Sequence, residues 1–247
     1  MARLDVQITM TDGTCPATLH VPDGRGSWPG VILFPDAGGA RETMRTMADR
    51  LAGMGYVVLL PDVYYREADW PPFDMASVFA DPDERARLMG FVGTLTRDRI
   101  VSDTGAYLDY LLARPEVCGT AVGTTGYCMG GRISLIAAGA HPEKIAAAAS
   151  FHGGRLAVDD NPESPHLAAG RITATVYVAA AEDDPSFTPD QARLLEQALT
   201  AAGVRHTLEF YPALHGFAVP DNPTHDPSAE DRHWKALKEL YGAALPG

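Results

Sequence analysis

Hydrophobic and polar positions along this chain change period several times, and those changes mark out its elements. Two short alternating segments come first, Val6 to Thr9 and Ala17 to Val21, divided by the turn signal Asp12-Gly13. Gly30-Val31-Ile32-Leu33-Phe34 is a continuous apolar run of the kind buried on both faces of a parallel sheet. Helical spacing follows over Arg41 to Met54 and stops at Gly55; a strand is predicted over Tyr56 to Leu60, closed by Pro61. Beyond residue 95 the same alternation resumes. Arg99 to Ala113 reads as helix, Ala121 to Tyr127 as strand, and Gly130 to Ala138 as helix with Gly139 as its stop. Strands are then predicted over Ile145 to Phe151, Thr173 to Ala180 and Thr207 to Tyr211, and helices over Pro189 to Ala202 and Ala229 to Ala243.

Strands that alternate with helices imply a parallel sheet covered on both faces, an α/β fold. From Asp62 to about Leu95 the pattern loosens around Trp70-Pro71-Pro72, then tightens into a charged helical stretch, Pro82 to Leu88. That excursion is too long for a simple connection, so it is read as a small cap over one edge of the sheet. No repeat, low-complexity tract or linker divides the chain, and residues 1–247 are read as one domain.

Composition narrows the function more than the fold. The 247 residues include 20 basic and 32 acidic side chains, a net charge of −12, which disfavours nucleic acid or anionic membranes as partners. No window reaches transmembrane length, and Met1-Ala2-Arg3-Leu4-Asp5-Val6 lacks the apolar core of a signal peptide, so a cytoplasmic location is expected. The three cysteines, Cys15, Cys118 and Cys128, include no C-x-x-C pair, so neither a disulfide framework nor a metal site is expected.

Cys128 stands apart because of its neighbours. Gly126-Tyr127-Cys128-Met129-Gly130-Gly131 follows a strand and opens a helix, the G-x-nucleophile-x-G elbow with cysteine in the place of serine. At a helix N-terminus the macrodipole favours thiolate over thiol. The plainer reading is a buried cysteine beside a glycine-rich turn. An acyl-transfer nucleophile also needs a histidine, an orienting carboxylate and an oxyanion hole, and in an open α/β sheet these follow strand ends in the order nucleophile, acid, histidine.

Both partners fall where that order requires them. Glu182-Asp183-Asp184 follows the strand ending near Ala180, with Asp184 favoured by position, and His215-Gly216-Phe217 follows the last strand. A turn before Pro185 is the bland use of the acids, and His215 is one of eight histidines. The oxyanion donors are expected to be the N–H of Met129 and that of Ala37, in Pro35-Asp36-Ala37-Gly38-Gly39. Asp36 is unexpected there, because a carboxylate beside a thiolate opposes its ionisation. Either it points away or it holds the cysteine in a resting state.

With these residues in place the chain resembles the dienelactone hydrolase (carboxymethylenebutenolidase-like) family of α/β hydrolases. The resemblance rests on residues 126–131, the Asp184 turn, His215-Gly216-Phe217 and the acid at 36, and extends across nearly the whole chain. It implies the α/β-hydrolase fold, a Cys128–His215–Asp184 triad and a resting-state role for residue 36, which is commonly Glu in the family. Arg41, Arg66, Arg99 and Arg132 are all open as contacts for a substrate carboxylate. His152 lines the pocket or makes a structural hydrogen bond; Tyr64 packs in the core or walls the site.

The expectation is therefore a cofactor-independent hydrolase of small esters or lactones, monomeric or a small homo-oligomer, acting through a thioester acyl-enzyme. Thiolate suits lactones and enol esters with good leaving groups better than amides, which disfavours a peptidase. A rival reading is a non-hydrolytic small-molecule-binding or redox-sensing protein that uses Cys128 as a reactive thiol.

Overall fold

The computed structural model describes residues 1–67, 70 and 72–245. Its centre is an eight-stranded sheet with strand order β1-β2-β4-β3-β5-β6-β7-β8. β1 (Ala2–Met10) and β2 (Gly13–Val21) form an antiparallel hairpin, and β2 also pairs antiparallel with β4 (Val57–Pro61). From β4 the pairing is parallel through β3 (Trp28–Phe34), β5 (Val117–Tyr127), β6 (Ile145–Phe151), β7 (Thr175–Ala181) and β8 (His206–Tyr211).

The hairpin is longer than its apolar pattern suggests. Residues 2–5 are exposed, and main-chain pairing from Ala2↔Val21 to Met10↔Gly13 holds them in the strand without any buried face. The strands inside the sheet are different. β3 and β4 are almost wholly buried, as the unbroken apolar runs imply.

Helices cover both faces. On one side α1 (Glu42–Gly53) and α6 (Pro227–Ala244) present Met44, Met47, Leu51, Trp234, Leu237 and Tyr241 to a core that includes Val31, Leu33, Val58 and Leu60. On the other, α3 (Arg97–Leu112), α4 (Met129–Ala140) and α5 (Pro189–Ala201) cover Ile32, Phe34, Leu59 and Val178. Alternate residues of one strand thus serve opposite cores, the period-2 consequence of a two-sided sheet. Among the described residues no helix is long and apolar enough to cross a membrane.

The excursion after β4 carries α2 (Pro82–Thr94), which runs six residues past the expected end at Leu88 and through Gly90 and Gly93. Local propensity would stop it there. Phe91 instead joins Leu88 in a cluster with Phe73, Met75 and Val78, and tertiary packing carries the helix onward. Ala37 belongs to the same cluster, so the excursion is anchored on the loop after β3. Residues 68, 69 and 71 of the excursion lie outside the described residues. A 3-10 turn at Pro165–Arg171, which has no clear periodic signal, packs against α4 and α5.

Register aligns the strand ends that matter. Phe34 lies beside Gly126, Tyr127 beside Phe151, Phe151 beside Ala179, and Ala181 beside Tyr211. β3 and β5 are neighbours while β4 lies on β3's other flank, so the chain order reverses there. Open α/β sheets place ligands at such a point, outside the carboxyl ends of the strands.

Candidate active site

Cys128 occupies the tight turn between β5 and α4. It is the N-cap of α4 with φ 52° and ψ −114°, a left-handed backbone that a non-glycine residue adopts only under constraint. The constraint is steric. A Cβ on Gly126 would sit 2.0 Å from the Gly130 carbonyl oxygen, and one on Gly130 would sit 2.3 Å from that of Phe34. With both glycines bare, strand, turn and helix close on one another and the start of α4 abuts the end of β3. Cys128 is half-buried, whereas Cys15 is fully buried with its thiol pushed up to about 12 by desolvation.

His215 and Asp184 arrive from the loops after β8 and β7. His215 Nδ1 lies 2.6 Å from Asp184 Oδ2, and the ring also interacts with the Cys128 sulfur. Asp184 is held in turn. Its Oδ1 accepts from the Ser186 N–H at 2.8 Å and from the Ser186 hydroxyl at 2.7 Å. Burial pushes this carboxyl upward, but the bonds from His215 and Ser186 bring it below the usual range, so it stays ionised. Burial also works against charge on His215. Interactions with the Cys128 side chain and with Asp184 outweigh it and raise the imidazole to about 10.

Met129 and Ala37, the two residues expected to supply oxyanion donors, flank the β3–β5 junction. Met129 is the first residue of α4, and its N–H has no intrahelical acceptor. Ala37 sits in a loop tied on both sides: the Asp36 carbonyl accepts from Gly39 N–H at 2.9 Å, and the Ala37 carbonyl accepts from the Tyr64 hydroxyl at 3.0 Å. Tyr64 also reaches the Met129 sulfur at 3.3 Å, so one buried phenol touches both residues.

Comparison with known proteins gives the family. The profile of the dienelactone hydrolase family matches residues 15–245. The chain belongs to that family. A Synechocystis sp. protein provisionally assigned as a carboxymethylenebutenolidase is 29% identical over 230 residues, covering 92% of this chain and 91% of that one. The carboxymethylenebutenolidase of Rhodococcus opacus is 27% identical over 247 residues, covering 97% and 91%. Among solved structures, a dienelactone hydrolase-like promiscuous phosphotriesterase from metagenomic libraries superposes with a TM-score of 0.81 at 27% identity, covering 98% of each chain. Membership in the dienelactone hydrolase family makes this protein an α/β hydrolase of the ester and lactone class.

Around this family frame the other sequence-derived candidates fall into distinct places. Asp36 turns both carboxylate oxygens to Arg41, at 2.6 and 3.0 Å, and Oδ1 also accepts Gly38 N–H at 2.9 Å. Arg66, near the start of the excursion, is bound by Asp12 in the β1–β2 turn and Asp103 in α3, and Arg99 donates to the Thr94 carbonyl. Arg132, one turn into α4, has no carboxylate within ion-pair distance among the described residues. Its buried Nε lacks a partner among the described residues; burial lowers its pKa, Glu163 lies close enough to favour its charge and Arg155 close enough to oppose it.

His152 is buried, has a left-handed backbone, and packs edge-on against His215 at 5.1 Å between ring centroids. Neither ring nitrogen has a protein partner, so the structural hydrogen bond open at the sequence level is absent. Burial, with His215 and His233 nearby, keeps it neutral by driving its pKa well below 6.5. Among the described residues no group of three or more His, Cys, Asp or Glu is placed to hold a metal ion. Ser186 is the functional neighbour that the sequence reading missed; its signal is the Asp-x-Ser spacing, in which an Asp caps the N–H two residues on.

Proposed function

We propose that this protein hydrolyses small esters or lactones with Cys128 as nucleophile, His215 as acid and base, and Asp184 as the carboxylate that orients it. The observation that supports the reading is the Asp184–His215 hydrogen bond, with the ring close enough to Cys128 for the sulfur to raise its pKa, beside a strained elbow at the N-terminus of α4.

The chemistry follows from how His215 is charged. In this mechanism the attacking form is a Cys128 thiolate beside a protonated His215, whose charge the sulfur and Asp184 both favour. The thiolate attacks the carbonyl carbon, and the N–H groups of Met129 and Ala37 hold the resulting oxyanion. His215 gives its proton to the departing alkoxide, and a thioester forms. Acylation removes the thiolate charge that had raised His215. The neutral ring then takes a proton from water, which attacks the thioester and releases the acid. Asp184 fixes Nδ1 throughout, leaving the other ring nitrogen for both transfers.

Arg132 supports a preference for substrates bearing a carboxylate. A half-buried guanidinium that forms no ion pair among the described residues, with Glu163 near it but not bonded to it and its Nε unpartnered, favours an anionic ligand at the site. The test compares initial rates on a chromogenic short-chain ester and on a dienelactone for wild type, Cys128→Ala and Arg132→Gln. The reading expects Cys128-dependent turnover of both, with Arg132→Gln raising KM for the dienelactone about tenfold or more, a charge-assisted hydrogen bond's share. Cys128-independent turnover contradicts the triad, and an unchanged KM contradicts the role of Arg132.

A further inference from the structure

Arg41 and Asp221 are 180 residues apart, yet Arg41 Nε meets Asp221 Oδ2 at 2.7 Å and Nη2 meets Oδ1 at 2.7 Å. The other side of the same guanidinium holds Asp36, with Nη1 to Oδ1 at 2.6 Å and Nη2 to Oδ2 at 3.0 Å. Nη1 also reaches the Gly39 carbonyl at 3.4 Å. All five N–H donors of Arg41 are therefore used, by two carboxylates and one main-chain oxygen, in a side chain that is 9% exposed. Thr43 adds a hydroxyl bond to Asp221 Oδ2 at 2.7 Å.

Each end of this bridge belongs to a loop with a proposed catalytic task. Asp36 precedes Ala37, and its carboxylate and carbonyl accept the N–H groups of Gly38 and Gly39. Those two bonds, with Tyr64 on the Ala37 carbonyl, fix the peptide planes on either side of the Ala37 side chain. Asp221 lies in the segment that carries His215. That segment is knit by Val219 N–H to Gly216, Asn222 N–H to Val219 and Asp226 N–H to Phe217, and by the Thr224 hydroxyl on the His215 carbonyl.

The geometry points to Asp36–Arg41–Asp221 as a positioning strut that locks the Ala37 loop to the His215 loop, so that oxyanion donor and acid–base are held in one frame. Two acids on one guanidinium leave a net negative charge in a largely dry place, and apolar packing would serve stability alone as well or better. The planar fork explains the choice of arginine, since a lysine cannot bind two carboxylates in fixed orientation. Asp36 then acts on the nucleophile only through loop geometry, and its carboxylate stays on Arg41 through the cycle.

The strut rests on the triad reading for its kinetic consequence alone, and its test separates the two. Arg41→Met is compared with wild type by amide hydrogen exchange over residues 35–40 and 213–222, and by kcat and KM on a chromogenic ester. Because Arg41→Met strands a buried carboxylate, Asp36→Asn and Asp36→Asn/Arg41→Met are measured beside it; the double variant removes the buried charges together and leaves the half-exposed Asp221. The strut predicts faster exchange in both segments at once. It also predicts a kcat lower by about 10²-fold, the scale of one lost oxyanion donor, with KM within about threefold. The loss in the double variant should match that of either single change rather than their product. Loosening of one segment without the other, multiplicative losses, or a kcat within about threefold of wild type overturns it. Cys128→Ala serves as the control, since it tests the triad while leaving the Asp36–Arg41–Asp221 bonds in place, so exchange over residues 35–40 should stay as in wild type.

Discussion

Ser186 and His215 share one carboxylate: Ser186 occupies Asp184 Oδ1 through its N–H and hydroxyl, and His215 Nδ1 occupies Oδ2. The two oxygens are divided between holding the acid and orienting the base. Asp184→Asn leaves an amide in place of one acceptor oxygen and breaks that division. Its kcat should fall on the order of 10³–10⁴-fold, as for orienting acids in serine triads. Ser186→Ala should cost about tenfold, the scale of a single hydrogen bond to a charged group. Steady-state kinetics of the two variants test this ordering, and equal losses contradict it.

The charge state of His215 gives a pH dependence with a definite sign. Its folded pKa is raised from 6.5 to about 10, so the imidazolium contributes stability that is complete below about 6.5 and is lost as pH rises through about 10. The alkaline limb of kcat/KM should fall over the same upper range, as the pair loses its proton. In Cys128→Ala the main cause of the rise is gone, and the ring should titrate at lower pH. NMR titration of the His215 ring in both proteins checks the shift; identical titrations contradict the thiolate–imidazolium pair.

Tyr64 supplies a gentler perturbation of the oxyanion loop. Tyr64→Phe removes the hydroxyl bond to the Ala37 carbonyl while keeping the ring that packs against Trp70 and Phe91 at 5.6 and 5.4 Å. About a tenfold loss of kcat is expected, with KM nearly unchanged. A loss confined to KM would place Tyr64 in substrate binding instead.

Much of this site is legible in the sequence because each triad member follows directly on a strand. Cys128, Asp184 and His215 come one, three and four residues after the ends of β5, β7 and β8, and chain order alone brings them to the same edge. The partner of Arg41 is not legible, because nothing local marks Asp221 across 180 residues. Nor is the true length of α2, where packing of Phe91 overrides two glycines. The orientation of Asp36 stays open in the sequence for a similar reason: which way a short acid turns depends on a cation supplied by the next helix's N-cap.

The elbow glycines provide a test of stability separate from chemistry. A Cβ at Gly130 meets backbone oxygens of Phe34 and Pro35 at 2.3 and 2.5 Å, which cannot move like a flexible side chain. Gly130→Ala should therefore cost about 3 kcal/mol or more, lowering Tm by about 6–12 °C in a chain of this size. Gly170→Ala, where nothing lies within 4 Å of the new Cβ, should change Tm little, and calorimetry distinguishes the two.

The most direct test of the account is to look for the thioester itself. Rapid mixing of the protein with a chromogenic short-chain ester, followed by acid quench and mass spectrometry, should show one acyl group, located on Cys128. That adduct should form and decay at rates consistent with turnover, and accumulate when His215 is replaced by a ring that cannot activate water but Cys128 is pre-ionised at high pH. Turnover of the same ester with no adduct on Cys128, or with an adduct elsewhere, contradicts the central claim.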